Sequence, residues 1–409
     1  MLSKKRMMTF LVVNVIFNMA ASFAHPVTPT LFKSLNMPSY LFGYALASMM
    51  IVNFLFSPFW GKMNSFISSR VSLIIACTGY ALGQLFFALA QTELQFIIAR
   101  MFAGLFTGGT FVSILNYVIN MSPDEKSRGV YLTASATIQS VGGAFGYFVG
   151  GMLGSIDVRL ALGAQVTVLF LSGIAFFFVC GNDAQAPLSE LKIKQVVKEA
   201  NPFAAFVASG KFMTVTLAFL FVMCVMQNLG QTSFDQSFNY YIADIFSFPS
   251  SYNGMLKAAM GLITLIANST ICAYLIKRTN VRKSVIGVFA LCTATMTTIV
   301  FITSVVPFLA INVAFYAFSA VSMPLLQNLA ADAAKGKDSN LVMGFYNSMK
   351  SLGGIFGAVF AGTFYTMNPK YPFVCALIAF GLATLFGIAY YKKSSAQSQA
   401  QEAATSAES

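Results

Sequence analysis

Thirteen acidic and 25 basic side chains stand among 409 residues, and their placement limits the chemistry open to this chain. All six glutamates (Glu93, Glu125, Glu190, Glu199, Glu402 and Glu408) fall outside the long apolar runs. Of the seven aspartates, Asp124, Asp157, Asp183 and Asp338 lie in polar connections, and Asp244 and Asp332 lie at the ends of runs. Asp235 remains as the one carboxylate at depth, or else its helix ends early and it is a solvated outer-loop acid. A carboxyl group held in hydrocarbon titrates nearer neutrality than it does in water, which suits it to take up and release a proton. Asp235 is therefore the leading proton-carrier candidate. Asn228, Gln231, Asp235 and Asn239 recur every three or four residues, making one polar stripe on a helix, and Asn14, Asn18, Ala21 and His25 make a second. Such stripes are what a water-filled path through apolar helices requires. His25, the sole histidine, either closes a helix end by hydrogen bonding or relays a proton.

Three cations also fall inside apolar runs. Arg100 and Lys257 sit in the outer thirds of theirs, where each either snorkels to the surface or presents its charge inward. Lys350 is deeper and shares a helical face with Asn347, Gly354 and Gly357. It reads either as a gate residue or as a fixed positive charge facing a substrate, able to attract an anion. Other chemistry is excluded by the residues themselves. One histidine cannot supply HExxH, there is no GxSxG turn, and none of Gly61-Lys62, Gly210-Lys211 or Gly336-Lys337 continues into a phosphate loop. Sodium coupling needs more oxygen ligands than these runs offer, so proton coupling, or no coupling, fits best.

The elements that must position these groups follow from composition. Hydrophobic residues make up 57% of the chain and charged residues 9%, against about 25% charge in a soluble domain. The fold class expected is an all-α membrane protein of twelve transmembrane helices, at 7–31, 41–60, 71–91, 94–117, 131–152, 161–180, 212–240, 252–276, 284–304, 308–330, 342–365 and 371–391. With the N-terminus inside, nineteen of the 25 Lys and Arg fall in inner loops and tails, three (Lys33, Arg159 and Lys370) outside and three within helices. That asymmetry places both termini in the cytoplasm. It also accounts for most of the +12 net charge without nucleic acid as a partner. The opening KKR and its apolar run have the outline of a secretory signal, but cleavage would remove a helix that the repeat below requires. The six cysteines lie in or beside apolar runs with no CxxC pair, as small core residues do.

Two segments read almost alike: IQSVGGAFGYFVGG at 138–151 and MKSLGGIFGAVFAG at 349–362. They are offset by 211 residues. The same offset carries Pro38-Ser39 and Gly43 onto Pro249-Ser250 and Gly254, Met49 onto Met260, and Leu115-Asn116 onto Leu326-Gln327. The chain is thus two pseudo-symmetric six-helix halves, 1–180 and 212–392, joined by a polar linker at 181–211 that carries Lys192, Lys194 and Lys198. A low-complexity tail at 393–409 is expected to be disordered. Gly142, Gly146 and Gly150, like Gly353 and Gly357, repeat every four residues, and small residues at that spacing let membrane helices approach closely.

Several motifs resemble the major facilitator superfamily, most closely its twelve-helix drug/proton antiporters, over nearly the whole chain up to about residue 392. FIIARMFAGLFTGG resembles the family's membrane-embedded arginine motif, with Arg100 in that place. GGAFGYFVGG resembles the antiporter motif, with Gly142, Gly146, Gly150 and Gly151 matching, but Tyr147 stands where the family has proline and Thr133 where it has an upstream glycine. HPVTPTLFKSL resembles the proline-bracketed outer end of the first helix. WGKMNSFISSRV keeps Gly61 and Arg70 of the loop motif but has Ser65 where the aspartate belongs. The resemblance implies the major facilitator fold and a substrate site between halves that rock by alternating access. It also implies proton-coupled efflux of amphipathic small molecules, with Asp235, Arg100 and His25 as coupling candidates. Asn14, Asn18, Asn228, Gln231, Lys257 and Lys350 are the cavity candidates, and Gly61, Arg70 and the glycine faces the gating ones. A carrier of a small organic anion is the alternative. Partners would be a small-molecule substrate, protons and the bilayer of a bacterial cell membrane. No cofactor or metal is called for, and the family works as monomers.

Overall fold

Proline, glycine and the polar caps cut the apolar runs into helices. A computed structural model describes residues 4–184, 186–191, 193–333 and 339–408. Lys192, the Gly336-Lys337 pair and Asp338 lie outside the described residues. Twelve long helical segments follow one another: α1 Lys4–Ala21, α2 Leu41–Phe66, α3 Ser69–Leu89, α4 Glu93–Met121, α5 Glu125–Ile156, α6 Val158–Val179, α7 Val215–Asp244, α8 Ser250–Arg278, α9 Val281–Phe301, α10 Val305–Ala333, α11 Ser339–Met367 and α12 Tyr371–Glu408. Among the described residues, nine of them are long and apolar enough to cross a membrane by length and composition. The three that are not are α1, α5 and α11, which carry the asparagine stripe, the glycine motif and Lys350.

The loop acids are absorbed by helix ends. Asp124 caps α5 by accepting from Ser127 N (2.8 Å), and Asp157 caps α6 by accepting from Arg159 N (2.6 Å). Asp183, buried, reaches α3 from the linker and accepts from Ser69 N and Ser69 Oγ, both at 2.6 Å. Glu93 accepts from the Tyr40 hydroxyl, Asp244 pairs with Lys33 at 2.9 Å, and Glu199 pairs with Lys62 at 3.0 Å. Bound in this way, these carboxylates are structural.

Three expectations change. The first span does not run unbroken to residue 31: α1 stops at Ala21, turns through Ser22–Val27, and a short helix resumes over Thr28–Ser34. Pro26 and Pro29 cannot donate the helical hydrogen bonds that continuation would need. The eighth span contains a π-turn at Asn268–Cys272. The tail expected to be disordered continues α12 to Glu408, since its Ala, Gln and Glu residues are good helix formers.

Contacts divide the chain into two compact units, Met1–Pro202 with Phe238–Leu262, and Phe203–Ser237 with Ile263–Ser409. These units do not coincide with the sequence halves, because the end of α7 and the start of α8 pack with the first six helices. In the first unit Phe10, Phe17, Tyr80, Tyr117 and Phe176 form an aromatic core between α1, α3, α4 and α6. In the second, Phe234, Phe315, Phe373 and Phe380 join α7, α10 and α12. All six cysteines are free, five of them buried.

Candidate functional site

Asp235 sits inside α7, roughly 14 Å along the axis from Asp244 at 1.5 Å per residue. It is therefore not a solvated loop acid. Its Oδ2 accepts from Gln231 Nε2 at 2.9 Å, and its Oδ1 accepts a short hydrogen bond from the Tyr316 hydroxyl on α10. Phe234 and Phe315 pack beside this group, their rings 4.4 Å apart. The remaining amide oxygen of Gln231, Oε1, is buried without a hydrogen-bond partner. Asn228, a turn earlier, donates to Cys224 O at 2.9 Å. Cys224 also lies within electrostatic reach of Lys350 on α11. Gly353 and Gly357 bring α11 against α7: a Cβ at Gly357 would stand 2.5 Å from Leu229 O, and one at Gly353 would collide with Val225 O.

The α7 stripe divides at this level. Asn239, expected beside Asp235, belongs to the first unit and donates to His25 O (2.9 Å) in the turn after α1. Asn253 on α8 donates to Asn239 O at 3.3 Å. The imidazole of His25 stacks on Tyr147 of α5, centroids 5.2 Å apart and planes 9° from parallel. Lys257 Nζ stands 5.8 Å from the same Tyr147 ring and 5.4 Å from that of Phe238. Arg100 lays its guanidinium over Phe87 at 3.9 Å, with Met49 Sδ at 3.9 Å. Both cations are buried, Arg100 at 6% exposure and Lys257 at 9%, which rules out the snorkelling alternative.

Lower in α1, Asn18 Nδ2 donates to Asn14 O and to Asn14 Oδ1, each at 2.8 Å. The two amides, with Ser135 and Gln139 of α5, line a cavity of about 130 Å3 whose remaining walls include Phe111, Ile114 and Leu132. The α5 glycines make this approach possible: a Cβ on Gly142 would stand 3.3 Å from Asn18 Cβ, and one on Gly146 or Gly150 would collide with Met19 O or Phe23 O. Gly61 and Arg70 take other places. A Cβ on Gly61 meets nothing within 4 Å, and Arg70 stacks on Phe177 at 4.4 Å.

Sequence reasoning missed Tyr316, Tyr147 as a platform, and Asn253. Tyr316 is 81 positions from Asp235 and carries no local signal, whereas Tyr147 was marked by standing in the family's proline position.

Long apolar helices with few ionisable groups define a membrane protein. The sequence profile of the Major Facilitator Superfamily matches residues 10–267 and 225–409, and the chain belongs to that superfamily. It is 20% identical over 369 residues to "Multidrug resistance protein 1" of Bacillus subtilis (strain 168), covering 89% of this chain and 91% of that one. Its fold is similar to that of the human organic anion transporter MFSD10 (TETRAN), with a TM-score of 0.67, 17% identity and coverage of 95% and 100%. It is also similar to that of a bacterial homologue of the iron transporter ferroportin in an inward-facing state, with a TM-score of 0.73, 14% identity and coverage of 95% and 99%.

Proposed function

We propose that this transporter expels amphipathic small molecules in exchange for protons, with both termini in the cytoplasm of a bacterial cell and Asp235 as the proton carrier. The observation that carries the reading is the Asp235–Gln231–Tyr316 group. Among the described residues it holds the one carboxylate inside a membrane-spanning helix away from the ends. The two donors stabilise the ionised carboxylate. The Gln231 amide serves the protonated state as well: turned over, its unpartnered Oε1 accepts the hydrogen bond that a carboxylic acid offers. Protonation therefore exchanges one satisfied arrangement for another at low cost, as a carrier alternating between two sides requires. The likeness to a multidrug resistance protein over most of both chains supports efflux as the direction. The amide-lined cavity at Asn14 and Asn18 supports a substrate with both polar and apolar surface.

Everted vesicles carrying an imposed proton gradient test this. A panel of lipophilic cations and organic anions is added while the internal pH is followed. The wild type should release protons on addition of its substrates, and Asp235→Asn should abolish that release while still binding them. Equal proton release from the variant removes Asp235 from the mechanism.

A further inference from the structure

The cavity between α1, α4 and α5 holds more hydrogen-bonding capacity than its own walls use. Asn18 Nδ2 donates to Asn14 O and Asn14 Oδ1, which commits both of its N–H groups. Among the described residues, Asn14 Nδ2 then donates to no acceptor and Asn18 Oδ1 accepts from no donor. Ser135 Oγ, on α5, is buried without a hydrogen-bond partner, its residue 5% exposed. All three residues line the same cavity of about 130 Å3. Polar groups left in that condition inside a membrane protein are costly unless something else completes their bonds.

Charge is missing from this cavity. None of the residues lining it is ionisable. Gln139, on its exposed side, stands at the repeat offset of 211 where the second half has Lys350. A cation seated here would find no carboxylate, a carboxylate would find no cation, and either would lose its hydration. An uncharged group with a carbonyl oxygen and an N–H meets what the walls offer. Its carbonyl accepts from Asn14 Nδ2 and Ser135 Oγ, and its N–H donates to Asn18 Oδ1. The volume is several times the ~30 Å3 share of one water in the liquid, which leaves room for a carboxamide. Phe111, Ile114 and Leu132 supply apolar wall for the carbon skeleton beside it. All these residues belong to one compact unit.

We infer that the cavity at Asn14, Asn18 and Ser135 is a binding subsite for an uncharged carboxamide, and that the amphipathic substrates of this transporter carry such a group as their polar end. Two amides and a hydroxyl, arranged around one space, read both the acceptor and the donor of that group. A site of this kind discriminates strongly against analogues that lack either, because its own buried polar atoms are then left unpaired.

The inference rests on the transport reading for its meaning, but its test needs no gradient. Purified protein in lipid nanodiscs is titrated with 2-naphthaleneacetamide, with methyl 2-naphthaleneacetate, which keeps the carbonyl and has no N–H, and with 2-(2-naphthyl)ethylamine, which is a cation. Uptake by empty nanodiscs is subtracted. The wild type should bind the amide about tenfold or more tighter than either analogue. Asn18→Ala should erase the preference for amide over ester. Ser135→Ala should weaken the amide and the ester alike, by about fivefold or more, without lowering the melting temperature, because its hydroxyl bonds to nothing in the fold. Should Asn18→Ala prove misfolded by size exclusion, Ser135→Ala decides the question. Wild-type affinity for the ester or the ammonium equal to that for the amide overturns the subsite. Amide affinity unchanged in Ser135→Ala also overturns it and assigns the cavity to ordered water. Failure of Asp235→Asn to block proton release would sink the coupling mechanism and leave this result untouched.

Discussion

At the scale of single residues, scarcity makes each polar group informative. Asp124 and Asp157 cap helix ends and Asp244 and Glu199 close ion pairs, so Asp235 stands out through its position and not through any motif. Its candidacy was legible because hydropathy and helical spacing are local properties of a sequence. Its partnership with Tyr316 was not, because which face of α10 meets α7 depends on packing across 81 positions. The glycines show the same division. Spacing by four marks Gly142, Gly146 and Gly150 as a flat face, but it does not say which of them touches a backbone. A Cβ on Gly146 would collide with Met19 O, while one on Gly61 would meet nothing within 4 Å. Gly146→Ala should accordingly destabilise the folded protein by about 1–3 kcal/mol through overpacking. Gly61→Ala, in the interior of α2, should be neutral or stabilising by roughly 0.5–1 kcal/mol. Thermal unfolding in detergent, followed by intrinsic fluorescence, checks both, and equal losses would show that the close approach of α1 and α5 is not what Gly146 serves.

At the scale of elements, ends and interruptions matter more than lengths. The break after α1 is written in Pro26 and Pro29, although the run of apolar residues through them gave the first span a false continuity. The end of α9 is closed from a distance: Lys370 Nζ, in the connection between α11 and α12, donates to Ile299 O at 3.0 Å and Ile302 O at 2.6 Å. A cation at that position satisfies the carbonyls that a helix leaves open. Partial burial nevertheless lowers the Lys370 pKa from 10.5 to about 8, so desolvation outweighs the attraction of the carbonyls. Between about pH 8 and 10.5 the unfolded chain keeps a proton that the folded one has released. Stability should therefore rise with pH across that window, relative to a Lys370→Gln variant in which this contribution is missing. Melting temperatures of the two proteins measured from pH 7 upward give the comparison, and parallel curves would mean that the ammonium is better solvated than its contacts imply.

At the scale of the whole molecule, the compact units cut across the duplicated halves because the end of α7 and the start of α8 join the first six helices. Thr30 Oγ1 and Ser250 Oγ lie 3.1 Å apart in that junction, near the Lys33–Asp244 pair. Alternating access requires such a contact to part in each cycle. With the native cysteines replaced, the double substitution Thr30→Cys and Ser250→Cys should form a disulfide under oxidation. Transport should then stop, and a reductant should restore it; undiminished transport with the bridge formed would show that this junction stays closed throughout the cycle. The sequence by itself determined the membrane class, the number and order of the long helices, the duplication and the isolation of Asp235. All of these depend on hydropathy, helical period and spacing along one chain. Only the tertiary structure decided that Tyr316 bonds to Asp235, that Arg100 and Lys257 are buried, and that Asn239 leaves the α7 stripe to bond in the first unit. Those outcomes depend on which helix faces meet and what each desolvates, and such pairings are fixed by packing in three dimensions rather than by any local pattern.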